Sequence, residues 1–232
     1  LIPPVRLYDR GVFRRDVVDI LSANSRQPMS LYGDLNGQIN AMELGEKRLH
    51  ALLDEYGVVT ARNALATLKA RAASMMRSKI TGLPSGTYSA EDWLDNDGID
   101  DVPLKIALDM TIDGDHMTLD FTRSSPACQG PVNISRATTI AACYVALKHI
   151  FGDVPANAGV LEPVTFRIDD GSLLSVKAPK PVGGYTETIL RMIDVIFAAA
   201  GGTGLGVLQT AADQDILSIG VDSNQNYLHP GE

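Results

Sequence analysis

The clearest pattern in the chain is strict alternation. Leu104, Ile106, Leu108, Met110 and Ile112 are interleaved with Lys105, Ala107, Asp109 and Thr111, and Met117, Leu119 and Phe121 with Thr118, Asp120 and Thr122. A period of two puts each apolar set on one face of a strand, and Asp113-Gly114 between the runs predicts a β-hairpin. Ser124, Ser125, Pro126, Gly130, Pro131 and Asn133 then supply turn chemistry, so Arg123 to Ser135 is expected to be a shaped loop. A helix follows from about Arg136, capped by Ser135 or Asn133. Ile140, Tyr144, Leu147 and Phe151 mark its apolar side, and Gly152 stops it.

Elsewhere the period is helical. Leu35, Ile39, Met42, Leu49, Leu52 and Tyr56 predict one long helix capped by Asp34 and ended by Gly57, although Gly37 and Gly45 inside it each cost about 1 kcal/mol relative to alanine. A close helix contact or ligand approach would explain those glycines. Ala61, Leu65, Leu68, Ala72, Met75 or Met76, and Ile80 predict a second helix ending at Gly82-Leu83-Pro84, and the two are expected to form an antiparallel hairpin. Val164, Phe166 and Ile168, a turn at Asp169 to Ser172, then Leu173, Leu174 and Val176 suggest another β region. A last helix runs from about Thr186 to Ala200, with Ile189, Ile193, Ile196, Phe197 and Ala200 on its apolar side. This order gives an α+β fold class, with an N-terminal helical hairpin followed by antiparallel β hairpins and packed helices. Residues 1–84 are the helical region and 85–232 the mixed β/α region.

Composition limits function more than fold. The chain has 232 residues, 45% hydrophobic and 21% charged, with a net charge of −8. That balance argues against nucleic-acid or anionic-membrane surfaces. Lys69, Arg71, Arg77 and Lys79 form the densest basic cluster and read as the solvated face of a helix. No stretch approaches the roughly 20 apolar residues that span a bilayer, so a cytoplasmic protein is expected. Cys128 and Cys143 belong to no CxxC, and Cys143 reads as a small core residue and Cys128 as an inert loop thiol.

Most apparent site motifs dissolve on inspection. His50, His116, His149 and His229 lack spacing that would bring two ligands together, so no metal site is expected in this chain. Aligning Gly98 of Asp95 to Asp101 as the sixth position of a calcium loop puts Trp93 first and Leu104 twelfth, where acids belong, so a turn with a solvated charge run is expected. The glycines at 201, 202, 204 and 206 lack the GxGxxG spacing and the preceding strand of a dinucleotide site, and read as a flexible connector.

Two constellations stay open. Glu187, Arg191 and Asp194 stack on one side of the last helix, either as a solvent-facing ion ladder or as a polar wall of a cleft or subunit interface. Asn133 and the backbone amides of Gly183 and Gly184 can donate to a carbonyl or oxyanion, or else serve turn geometry alone. Asn133, Glu187 and Arg191 are thus the catalytic candidates, and Gly183 and Gly184 the substrate or oxyanion contacts.

The segments LIPPVRLYDRG, GDLNGQINAMELGEKRL, LPSGTYSAEDWLDNDGI, DFTRSSPACQGPVN and PVGGYTETILRMIDV, in that order, resemble the hydantoinase B/oxoprolinase family over roughly Leu1 to Ala200. The resemblance implies one subunit of an ATP-dependent enzyme that opens cyclic amides such as hydantoins or 5-oxoproline, or alternatively a ketone carboxylase subunit. A hydantoinase A-like ATP-binding subunit is the implied partner, in a homo- or hetero-oligomer. ATP and a divalent metal are implied for the complete complex, with neither bound by this chain alone. The family's metal-ligand segments lie before LIPPVRLYDRG, so the chain looks like an internal or C-terminal part, inactive by itself. A non-catalytic assembly module is the alternative from another class.

Overall fold

Arg10 and Gly11 take positive φ angles of 51° and 83° and join two short strands, β1 (Tyr8–Asp9) and β2 (Val12–Phe13), into an antiparallel hairpin. Two successive positive φ angles match the twist of a two-residue hairpin turn. A computed structural model describes residues 4–203, which fall into two compact units, 4–66 and 67–203. The first holds this hairpin, α1 (Arg15–Ala23), α2 (Pro28–Tyr56) and the first turns of α3 (Val58–Thr81). Asp34 lies inside α2, which instead begins at Pro28, where a missing N–H costs nothing. The predicted apolar stripe of α2 is buried at Ile39 but exposed at Met42, Leu49, Leu52 and Tyr56.

The second unit is built on the alternating strands. β3 (Gly86–Leu94), β4 (Leu104–Asp113) and β5 (His116–Asp120) are successive antiparallel neighbours, and β6 (Val164–Arg167) adds beside β5 in parallel. The β4–β5 hairpin forms as predicted. A second hairpin beyond Val164 does not: β6 joins the same sheet, and Ser172 to Val176 is buried irregular chain rather than a strand. Parallel pairing needs a crossover connection, which α4 (Arg136–Ile150) and the segment after it provide.

One sheet face is apolar, and it carries the core. Ile106, Leu108, Met110, Ile112, Met117 and Leu119 pack with α4 and α5 (Tyr185–Thr203), and with Ala72, Met76 and Ile80 of α3. The buried sides of the two helices are turned slightly from the expected ones. They run through Thr139, Ala142, Cys143, Ala146 and Leu147 in α4, and through Thr188, Met192, Val195, Ile196 and Ala199 in α5. Small side chains let these two helices pack against each other while larger neighbours such as Ile140, Ile193 and Phe197 fill the margins. Gly201 and Gly202 continue α5 instead of forming a connector, while Gly204, Gly206 and His229 lie outside the described residues.

The basic cluster on α3 is not simply solvated. Lys69 pairs with Glu162 at 2.8 Å, Arg77 with Asp115 at 3.1 Å and Lys79 with Asp153 at 2.7 Å, each half exposed. Beside Lys69, a short 3-10 turn from Ala158 to Leu161 is capped by Asn157, whose side chain also donates to the Leu68 carbonyl at 3.2 Å. Gly159 permits this approach: a Cβ there would stand 2.1 Å from the Lys69 carbonyl oxygen and 2.9 Å from Ala73 N. Gly159→Ala is therefore expected to cost about 2–3 kcal/mol, because backbone on both sides has to move. Urea denaturation with an unchanged m-value is the check.

Candidate functional site

The loop from Arg123 to Ser135 is built from the backbone outward. Ser124 and Ser125 continue the edge of β4 with their side chains: Ser125 Oγ accepts from Lys105 N at 2.8 Å, and Ser124 Oγ accepts from Ala107 N at 3.1 Å. The main chain then meets the Gly171 to Val176 segment. Ala127 N donates to Gly171 O, Leu173 N to Ser125 O, Ile134 N to Leu173 O and Val176 N to Ile134 O, all within 3.1 Å. These bonds satisfy two irregular segments that lack a ladder of their own.

Asn133 locks the loop. It is fully buried; its Oδ1 accepts from Cys128 N at 2.9 Å, and its Nδ2 is shared among the carbonyls of Gly130 (2.9 Å), Pro181 (3.1 Å) and Cys128 (3.3 Å). Sequence reasoning puts Asn133 beside the Gly183-Gly184 turn, and the two do come together. Gly184 N donates to Pro131 O at 2.9 Å, and the buried Thr188 hydroxyl donates to Val132 O. Gly183 is exposed at the surface of the same turn.

The residue that sequence reasoning misses is Asp97. Expected within a solvated charge run, it is instead buried, 3% exposed. Its Oδ1 accepts from Ile99 N at 2.9 Å and Asp100 N at 2.7 Å, and its Oδ2 from Gly130 N at 2.7 Å. Those amides, led by Asp100 and Gly130, hold its carboxyl well below the usual carboxylate range. Gly130 is held so tightly that a Cβ would lie 1.9 Å from the Asp97 carbonyl oxygen. The only available signal is its Asx-turn position before Gly98, and that signal does not distinguish a buried turn from an exposed one.

The other candidates are spread more widely. Arg191 reaches from α5 to Asp92 on β3, with Nη1 3.3 Å from Oδ2, while Glu187 is exposed one turn earlier. On the open sheet face, Arg123 makes a two-pronged pair with Asp109, both bonds 2.7 Å. Cys128 is half-buried, and burial followed by the nearby Asp97 charge pushes its thiol up, away from a reactive thiolate. Cys143, in the core, is pushed up to about 12 by burial.

No group of three or more His, Cys, Asp or Glu converges on a metal-sized site among the described residues. His116 bonds Thr165 and His149 bonds the Val145 carbonyl, each on a different element. These two histidines stand apart and do not form a metal site with one another. No helix among the described residues is long and apolar enough to cross a membrane. The arrangement is thus a rigid, hydrogen-bonded edge presenting Gln129, Pro131, Gly183 and Glu187 to solvent.

Known proteins share this architecture. The hydantoinase B/oxoprolinase family model matches residues 1–226. A Pseudomonas sp. (strain NS671) protein, described as the B-type subunit of a D-/L-hydantoinase, is 30% identical over 96% of this chain and 40% of its own length. The crystal structure of an ATP-dependent caprolactamase from Pseudomonas jessenii superposes with a TM-score of 0.77 at 30% identity, over 88% of this chain and 35% of that one. A nucleotide-free acetone carboxylase structure shares the fold, with a TM-score of 0.70 at 15% identity over 88% of this chain and 29% of that one. The chain therefore spans about 40% or less of the length of these relatives. With a model match across almost the whole sequence, the chain belongs to the hydantoinase B/oxoprolinase family.

Proposed function

We propose that this chain is part of the hydrolytic subunit of an ATP-dependent cyclic-amide hydrolase and works with a hydantoinase A-like ATP-binding subunit. The observation that carries the reading is the likeness, over 88% of the chain, to a solved ATP-dependent caprolactamase. A cyclic amide resists water, and ATP overcomes that resistance. The partner transfers the γ-phosphoryl group to the carbonyl oxygen, leaving ADP and an imidate-like electrophile. Water adds to its carbon, the ring C–N bond breaks with the amine leaving, and a second water releases phosphate from the acyl phosphate. The contribution assigned to this chain is a fixed cleft edge, the Gln129 to Asn133 loop and the Gly183-Gly184 turn, with Glu187 and Arg191 on the adjoining helix.

The test is co-purification with a hydantoinase A-like subunit, followed by ADP release on adding hydantoin, 5-oxoproline or caprolactam. Binding together with at least a roughly tenfold rise in ADP release, a difference of about 1.4 kcal/mol in barrier, is the expected result. No binding and no activation overturn the reading, and bicarbonate-dependent ADP release with acetone transfers it to a ketone carboxylase. Glu187 separates a cleft role from an assembly role, because it is exposed and its loss leaves the core intact. Glu187→Ala is expected to reduce turnover with the complex still formed, whereas loss of assembly alone identifies a non-catalytic module.

A further inference from the structure

Gly45 has no explanation among the described residues. It sits inside α2, where glycine costs about 1 kcal/mol relative to alanine, yet a Cβ added there would meet nothing within 4 Å. Its neighbours along the helix supply one. Met42, Gly45, Leu49, Leu52 and Tyr56 recur at spacings of three and four, the a/d seam of a coiled coil, and the four large side chains are 66%, 51%, 44% and 57% exposed. Arg48 and Glu55, both exposed, lie beside that seam at positions that flank a partner helix.

From this pattern we infer that the C-terminal half of α2 is a self-association surface, pairing antiparallel with α2 of a second copy of this chain. Antiparallel pairing centred between His50 and Ala51 puts Leu49 of one copy against Leu52 of the other, twice. It also sets Tyr56 of each copy opposite Gly45 of the other, so the large ring fills the space the glycine leaves. The same register aligns Arg48 with Glu55, giving two opposite-charge pairs. A parallel pair would instead oppose Tyr56 to Tyr56 and leave a gap between the glycines. Two heptads form a small interface, so the expected affinity is in the range of about 10–100 μM.

Sedimentation equilibrium of the full chain across this concentration range is the test. A monomer–dimer equilibrium is expected, abolished by Leu49→Glu with Leu52→Glu while circular dichroism stays unchanged. Arg48→Glu or Glu55→Arg alone is expected to weaken it about fivefold or more, and the two in one chain to restore it. Gly45→Leu separates this surface from a purely structural role, since it is expected to raise the melting temperature of the monomer and abolish the dimer. A chain monomeric throughout would mean that another partner or segment covers the stripe, and would overturn the inference. So would a dimer untouched by the Leu49 and Leu52 changes, or a charge reversal that fails to restore.

Discussion

Gly130→Ala is expected to cost about 3 kcal/mol or more, because no neighbour of the new methyl can yield. Its Cβ would lie 1.9 Å from the Asp97 carbonyl oxygen, 2.7 Å from the Asp97 carbonyl carbon and 2.8 Å from Asp97 Cβ. A flexible side-chain tip would swing away, but here the obstacle is backbone. The same movement would break the 2.7 Å bond from Gly130 N to the Asp97 carboxylate. Chemical denaturation measures the loss. A cost below about 1 kcal/mol would mean that the loop retreats freely and is not pinned.

The second large effect belongs to Asp97 itself. Asp97→Ala leaves three backbone N–H groups, those of Ile99, Asp100 and Gly130, without their acceptor, and that of Gly130 is buried. Hydrogen bonds to a charged group are worth more than neutral ones, and unmade buried donors carry the full desolvation penalty. A fall in melting temperature of about 10 °C is expected for a chain of this size. Asp97→Asn keeps the shape and one acceptor oxygen, so it should fall between the wild type and alanine.

The carboxylate also predicts a pH dependence. Its folded pKa is depressed by the amides around it, so the unfolded chain binds the proton more readily. The stabilisation is therefore complete above the unfolded value of about 4 and is lost as pH falls below it toward the folded value. Thermal melts of the wild type and Asp97→Ala between pH 7 and pH 3 should converge as the pH drops. Curves that stay parallel would mean that Asp97 is not held as a carboxylate.

Local order is legible in the sequence; long-range pairing is not. The β4–β5 hairpin can be read directly, because alternation from Leu104 to Phe121 and the Asp113-Gly114 turn specify strand, face and register together. The loop after it is legible as a loop from its turn formers. Its lock is not, since Asp97 and Gly130 stand 33 residues apart and no local pattern joins them. The run Ser172 to Val176 shows a different limit. Continuous apolar character marks burial, but cannot tell a strand from irregular chain whose amides are satisfied by Ser125 and Ile134. The α5 candidates likewise fall on the right helix, while Arg191's partner, Asp92 on β3, depends on the tertiary packing.

Taken with the family to which the chain belongs, these contacts turn a conspicuous loop into a fixed support. Asn133 spends its whole amide on backbone, so its contribution is to hold Cys128, Gly130 and Pro181 in place and not to meet a substrate. The groups left at the surface are those it positions, at Gln129, Pro131 and Gly183. Native-state hydrogen exchange of the intact chain measures that support most directly. The amides of Asp100, Cys128, Gly130 and Gly184 are expected to be protected to nearly the same degree as Ile106 and Leu108 in the core of the sheet. Exchange of these four at the rate of exposed loop amides, with the sheet still protected, would contradict the account.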